Sequence, residues 1–456
     1  VADGQQFPGG FVWGAATAAY QVEGAVDADG RGPSIWDTFS RIPGKVLGGD
    51  TGEHGAQQYT RYLEDIALMR SLHVGAYRFS IAWPRIVATG SGAINKPGLD
   101  YYDRLVDGLL DAGIQPWATL YHWDLPQPLE DAGGWPARDT AERFADYTSV
   151  VGEHFADRMA GWTTLNEPWC SSFLGYGTGI HAPGRTDMGA AVVAAHHLLL
   201  AHGLGVQALR AAGVTGQVGI VLNPGSFLPA SAEPADVEAA RRIDLGNKLF
   251  LDPLYKAAYD DEVLAEITRV TDGAHIRDGD GAIIATPTDY LGINYYGPER
   301  VTLDPSTAGT ASWPGRAGVG HAHADVERTA MGWEVEPQGL VHVVNRIRDE
   351  YGAGITFYVT ENGAAYDDEV AADGHVHDAQ RTSYIRRHLL AIREMIADGV
   401  DIRGYFVWSL LDNFEWSFGY SRRFGVVWTD YDTFERIPKD SARFYAEVAR
   451  TGVVAE

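Results

Sequence analysis

The sequence predicts an α/β fold, a single (β/α)8 TIM barrel spanning residues 1–456, on three observations. Eight short β-rich runs alternate with longer helical patterns almost to the end of the chain. Several of these runs are apolar on both faces, the habit of parallel strands covered on each side by helices. No G-x-G-x-x-G turn opens the first helix, so the usual marker of the rival doubly wound sheet is missing. Length alone would suggest about three domains, but barrels of this class often run well past that prior as one unit.

The predicted strands are Phe11–Ala15, Ala76–Trp83, Gln115–Tyr121, Gly161–Asn166, Val218–Asn223, Tyr290–Tyr295, Thr356–Thr360 and Gly404–Ser409, rich in β-branched and aromatic residues. Between them lie helical stretches at Gln57–Leu72, Gly98–Ala112, Asp139–Phe155, Met188–Ala212, Pro337–Tyr351 and Ala379–Asp398, and Lys439–Arg450 closes the chain. In the first of these, Tyr62, Ile66, Met69 and Leu72 recur at three- and four-residue steps. Asp139 is the expected N-cap of its helix. Gly-Asp-Gly at 279–281 lacks the ligand ladder of a calcium loop and reads as a turn. The stretch Thr302–Ala330 has no periodicity and reads as a long loop after the sixth strand, either a plain surface loop or a roof over the pocket.

Composition narrows the partners. The chain holds 61 acidic against 36 basic residues, a net charge of −25, which repels nucleic acid, anionic lipid and phosphorylated metabolites. Its 13 Trp, 22 Tyr and 16 Phe suit the C–H faces of sugars, although a large core also uses many aromatics. Cys170 is the only cysteine, so no intrachain disulfide and no CxxC pair exists. No basic-then-apolar segment stands in Val1–Gly10, and no uninterrupted apolar run reaches membrane-spanning length. A reducing cytoplasm is the expected compartment, with no membrane and no nucleic-acid partner, and a homo-oligomer is left open.

Catalysis in such a barrel sits where the strands end at the C-terminal face. Two carboxylates stand there: Glu167 in Trp162-Thr-Thr-Leu-Asn-Glu-Pro168, after the fourth strand, and Glu361 in Phe357-Tyr-Val-Thr-Glu-Asn-Gly363, after the seventh. A lone Glu at a strand end is more often a surface or ion-paired residue; two on facing strands in aromatic settings weaken that reading.

The motifs Thr164-Leu-Asn-Glu-Pro168 and Thr360-Glu-Asn-Gly363 resemble the acid/base and nucleophile motifs of glycoside hydrolase family 1. Phe11-Val-Trp-Gly-Ala-Ala-Thr17 with Gln21-Val-Glu-Gly24, Tyr77-Arg-Phe-Ser-Ile-Ala-Trp83, Tyr121-His-Trp-Asp-Leu-Pro126, Gly292-Ile-Asn-Tyr-Tyr296 and Trp408-Ser-Leu-Leu-Asp-Asn-Phe-Glu-Trp416 follow in the same order. The resemblance implies a retaining β-glycosidase acting on small-molecule β-glycosides, with Glu361 as nucleophile and Glu167 as acid/base, about 5–5.5 Å apart. It implies that Arg78 and Tyr296 keep Glu361 ionised and that Asn166 binds the sugar 2-hydroxyl. It further places Gln21, His122, Asn294, Glu415 and Trp416 among the sugar-binding residues, Trp408 as the stacking floor, and Trp123 and Phe424 as walls. Trp169, Asn223 and Trp333 fall around the aglycone. Glu415 would repel a 6-phosphate, and Glu167 stands where thioglucosidases of the family carry Gln.

No metal or organic cofactor is expected, because two carboxylates suffice for this chemistry. Cys170 reads as a pocket-wall residue, and His196, His197 and His202 as a solvated or packed helix face. Glucosidase is the expected activity. A galactosidase or fucosidase bias, a transglycosylase and a non-catalytic sugar-binding barrel are the alternatives.

Overall fold

The computed structural model describes residues 6–307 and 315–455. Eight strands carry the architecture: β1 (Val12–Ala16), β2 (Ala76–Ser80), β3 (Gln115–Tyr121), β4 (Gly161–Asn166), β5 (Gln217–Leu222), β6 (Tyr290–Asn294), β7 (Phe357–Asn362) and β8 (Ile402–Trp408). They close a parallel barrel in the order β1-β8-β7-β6-β5-β4-β3-β2. β1 joins the ends of the ring, pairing Ala16 with Trp408 of β8 and with Arg78 of β2. Every residue of β2, β4, β6 and β7 is buried, as expected for strands with a packed interior on one side and helices on the other.

The interior is packed with aromatic rings. Trp117 of β3 lies 4.8 Å from Tyr358, 5.3 Å from Phe406 and 5.7 Å from Tyr290 between ring centroids. Two strand glycines make room for them: a Cβ on Gly161 would stand 2.2 Å from Trp117, and one on Gly14 2.2 Å from Phe406. Towards the C-terminal ends the strands turn polar, with Asn166 ending β4, Asn294 ending β6 and Glu361-Asn362 ending β7. The barrel thus has a rigid apolar filling and a buried polar mouth.

The helices fall close to their predicted places, including Gln58–Ser71, Asp139–Phe155, Gln338–Tyr351, Ala379–Ala397 and Asp440–Thr451. Met188–Ala211 is long and apolar enough to cross a membrane by composition, but 78% of its most apolar window is buried. It packs on the Asp139–Phe155 helix, with Gly205 against Phe144.

Several expectations need correction. The second strand stops at Ser80 rather than Trp83, because Trp83–Ile86 winds into a short helix with Pro84 in its first turn. Asp139 starts its helix but does not cap it. Arg138 occupies the cap position with helical dihedrals (φ −57°, ψ −34°), and the Asp139 carboxylate pairs with Arg143 at 3.0 Å instead. Asp280, read as part of a plain turn, is a buried anchor. It accepts from Arg138 at 2.8 Å and contacts His196 Nε2 at 2.9 Å, after Gly279 has turned the chain with φ 92°.

Between β5 and β6 the structure holds the helices Pro234–Ile243, Leu245–Lys256 and Asp261–Val270, which were not anticipated. The long stretch from Thr302 is not wholly irregular: Val319–Ala322 pairs antiparallel with Glu299–Leu303, which also pairs with Phe227–Pro229 in a small outer sheet. Residues 308–314 of that predicted loop, and residues 1–5 of the stretch Val1–Gly10, lie outside the described residues.

Candidate active site

Glu167 is placed by a sharp change of backbone direction at the end of β4. Its N–H donates to Val221 O at 2.9 Å, its carbonyl accepts from Cys170 N at 2.9 Å, and its φ of 46° lies in the left-handed region. Trp123 (φ 77°) and Trp416 (φ 50°) share that uncommon conformation. Bulky residues are held there only where surrounding packing enforces it. Glu361 is aimed by a register shift between Val359 and Glu361, which sets it beside Asn294 of β6.

The two carboxylates face unlike neighbours. Glu361 Oε1 accepts from Arg78 Nη1 at 2.7 Å and Oε2 from the Tyr296 hydroxyl at 2.6 Å. Among the described residues Glu167 receives only neutral donors: Asn294 Nδ2 to Oε1 at 2.6 Å and Cys170 Sγ to Oε2 at 3.1 Å. Asn166 joins the two halves, accepting from Arg78 Nη2 at 2.6 Å and Asn294 Nδ2 at 3.1 Å. Burial, and then the charge of Glu361, push the Glu167 carboxyl up to about 7. Burial also raises Glu361, against the lowering by Arg78 and the Tyr296 hydrogen bond. Because a cation and a hydroxyl hydrogen-bond Glu361 while neutral groups hydrogen-bond Glu167, the shared negative charge settles on Glu361 and the shared proton on Glu167.

The predicted sugar-binding residues converge beside this pair. Asn166 Nδ2 donates to His122 Nε2 at 3.1 Å. The His122 imidazole is therefore neutral with its proton on Nδ1, and burial beside Arg78 holds it well below the ordinary histidine range. Gln21, just past β1, donates to Asn413 Oδ1 at 3.0 Å and Phe414 O at 2.9 Å, which turns its amide oxygen away from the backbone it grips. Glu415 lies 3.5 Å from Gln21 Nε2, and burial with the charges of Glu361 and Glu167 raises it to about 8. His122 stacks 5.9 Å from Trp408 and 6.1 Å from Trp416, while Trp123 packs 4.6 Å from Trp416. Neither His122 Nδ1 nor Gln21 Oε1, both buried, has a hydrogen-bond partner among the described residues. A polyhydroxylated ligand would satisfy both atoms.

The remaining predicted residues divide into two groups. Phe424 and Trp333 pack around Tyr296, with centroids 5.9 and 5.3 Å from its ring, so they border the Glu361 side. Trp169 and Asn223 line a cavity with Leu222, Pro224 and Asn247 on the Glu167 side. Asn294, placed by the resemblance in the sugar-binding set, bridges Glu167 and Asn166 and is held by Thr360 Oγ1 donating to its Oδ1 at 2.8 Å.

Cys170 is more than a wall, since its thiol touches the acid itself. Sequence reasoning also missed Asn413 and Phe414, which grip Gln21, and His181, which packs 5.3 Å from Trp123. The spacing of Asn413 and Phe414 inside the last motif was the available signal. The helix histidines are packed rather than solvated: His196 meets Tyr259 and Asp280, His197 the carbonyl of Trp135, and His202 Thr164. Among the described residues no group of three or more His, Cys, Asp or Glu is arranged to hold a metal.

Known proteins are similar to this chain along nearly its whole length. Beta-glucosidase A of Thermotoga maritima is 46% identical over 448 residues, covering 98% of each chain. A bifunctional beta-D-glucosidase/beta-D-fucosidase of Bifidobacterium breve is 46% identical over 454 residues, covering 96% of this chain and 97% of its own. The solved structure of a Thermotoga maritima beta-glucosidase in complex with deoxynojirimycin superposes with a TM-score of 0.94 at 44% identity, covering 99% of this chain and all of that one. The sequence model of Glycosyl hydrolase family 1 matches residues 3–453. With a closed eightfold barrel and a charge-asymmetric carboxylate pair at its mouth, this chain belongs to glycosyl hydrolase family 1.

Proposed function

We propose that the protein is a retaining β-glucosidase that removes terminal β-D-glucosyl residues from small neutral glycosides such as cellobiose and aryl glucosides. The observation that carries this reading is the unequal environment of two buried carboxylates on facing strands: Glu361 with a cation and a phenol, Glu167 with neutral donors alone. Glu361 attacks the anomeric carbon as Glu167 passes its proton to the departing oxygen. The resulting ester has lost the Glu361 charge, so Glu167 becomes a stronger acid and more readily takes its base form for the incoming water. Arg78 holds the nucleophile in line, and Asn166, fixed by Arg78, His122 and Asn294, presents its amide to the sugar.

The same reading takes the whole chain as one catalytic unit in a reducing compartment, working without metal or cofactor. Proton NMR of the reaction with p-nitrophenyl β-D-glucoside tests it. Release of β-glucose before mutarotation supports retention; α-glucose as the first product refutes it. The bifunctional relative carries a second reading, acceptance of β-D-fucosides, which parallel initial rates on the two nitrophenyl glycosides decide.

A further inference from the structure

The two oxygens of Glu167 are not equivalent. Oε1 accepts from Asn294 Nδ2 at 2.6 Å, and an amide N–H only donates, so this oxygen is held as the carbonyl-like one. Oε2 faces Cys170 Sγ at 3.1 Å. The cysteine is buried and sits on the helical turn whose first hydrogen bond, Cys170 N to Glu167 O at 2.9 Å, fixes the two residues against each other. Its sulfur accepts from Asn223 Nδ2 at 3.5 Å, and Asn223 follows β5 on the far side of the turn. A sulfur already accepting on one side has its S–H left to point at Oε2.

We propose that Cys170 is a positioning residue for the reaction: with Asn294 on Oε1 leaving the acid's proton to Oε2, the thiol, oriented by Asn223, donates to Oε2 and stabilises the carboxylate left after transfer. This rests on the assignment of Glu167 as acid/base. In the first step the proton passes from Oε2 to the glycosidic oxygen as the C–O electron pair leaves with the aglycone. The thiol keeps its own proton and now donates to an anion. In the second step Oε2 takes a proton from water as the water oxygen bonds the anomeric carbon and the bond to Glu361 breaks. No bond to sulfur forms. Burial and the neighbouring Glu167 push the thiol well above its ordinary range, so it stays protonated and remains a donor throughout.

The other charged and titratable groups acting on Glu167 are Glu361 from β7, Arg78 from β2, and Tyr296 and Glu415 beyond β6 and β8. None is altered by changing Cys170, so a shift in the profile belongs to the thiol. The test is the pH dependence of kcat/KM for p-nitrophenyl β-D-glucoside with the full chain carrying C170A or C170S. Loss of a weak donor to a charged group should move the upper limb of C170A upward by roughly half a pH unit to one. C170S, which keeps a donor, should remain within a few tenths of the parent or move downward.

Near-UV circular dichroism checks folding, and C170V replaces C170A if the alanine variant fails that check. An upper limb unmoved in the folded apolar variant, or moved equally in C170A and C170S, overturns the proposal. The acid/base assignment fails separately, by E167A losing activated and unactivated glucosides to the same extent.

Discussion

Neutralising Glu361 offers the most direct test of charge sharing at the barrel mouth. In the intact site Glu167 titrates at about 7 against an ordinary 4.5, with burial the larger cause and Glu361 the next. Two unit charges about 5.5 Å apart repel by roughly 3 kcal/mol at an effective dielectric near 20, or about two pKa units. Burial survives the substitution E361Q, so the fall cannot reach the ordinary value. Arg78, 2.7 Å from Glu361 in the parent, also stays and loses its counter-charge. The midpoint of Glu167 should therefore drop by between about one and two units.

Carbon-13 NMR of carboxyl-labelled glutamate reads this directly, with E361Q/E167Q identifying the resonance by its disappearance. A midpoint that stays near 7, or rises, would refute the electrostatic account even if E361Q were inactive. The wild-type counterpart is a kcat/KM that declines above about pH 7 as Glu167 loses its proton.

Other outcomes follow from the same contacts. E167A should lose roughly 10²- to 10⁴-fold on cellobiose and far less in the first step on a dinitrophenyl glucoside, with azide restoring turnover of the activated substrate as the glycosyl azide. Glu415 titrates at about 8 in the fold, above its ordinary 4.5, so the native state binds more protons than the unfolded one between those values and stability falls as pH rises through them. E415Q removes that slope: scanning calorimetry should show a higher Tm than the parent at about pH 8 and no advantage at about pH 4, alongside weakened catalysis. A Cβ on Gly363 would stand 1.7 Å from the carbonyl oxygen of Trp408, so G363A should push the stacking floor away and cost about 10²-fold in kcat/KM. G354A meets nothing within 4 Å and should be neutral in the same assay.

Much of the scaffold was legible because barrel strands and their covering helices differ in period and composition. Gln115–Tyr121, Gly161–Asn166 and Asp139–Phe155 stand as predicted. The outer sheet escaped notice because its strands, such as Phe227–Pro229, are three to five residues long and only partly buried, so alternation has no room to show. The helices from Pro234 to Val270 belong to no motif of the resemblance, although Asn247 of the second borders the cavity beside Trp169 and Asn223.

The carboxylates and most of their companions were readable from motifs. The partners of individual atoms were not. Nothing in Gly292-Ile-Asn-Tyr-Tyr296 tells that Asn294 points at the acid, because a register shift against the neighbouring strand β7 bears on which side chains meet. Cys170 looked inert for a similar reason. A thiol three residues after a carboxylate is common on any helical turn, and only the left-handed backbone at Glu167 brings the two side chains together.

The meeting of β1 with β8 has a consequence for how the protein comes into being. Gln21 is gripped by Asn413 and Phe414, nearly four hundred residues later, and Trp408, Glu415 and Trp416 all emerge after both reacting carboxylates have been synthesised. A nascent chain still short of its last strand would own every proton-transfer group but only part of a seat for a sugar. Turnover measured on stalled or fragmented chains would thus work as a stopwatch for the moment the ribbon meets its own beginning.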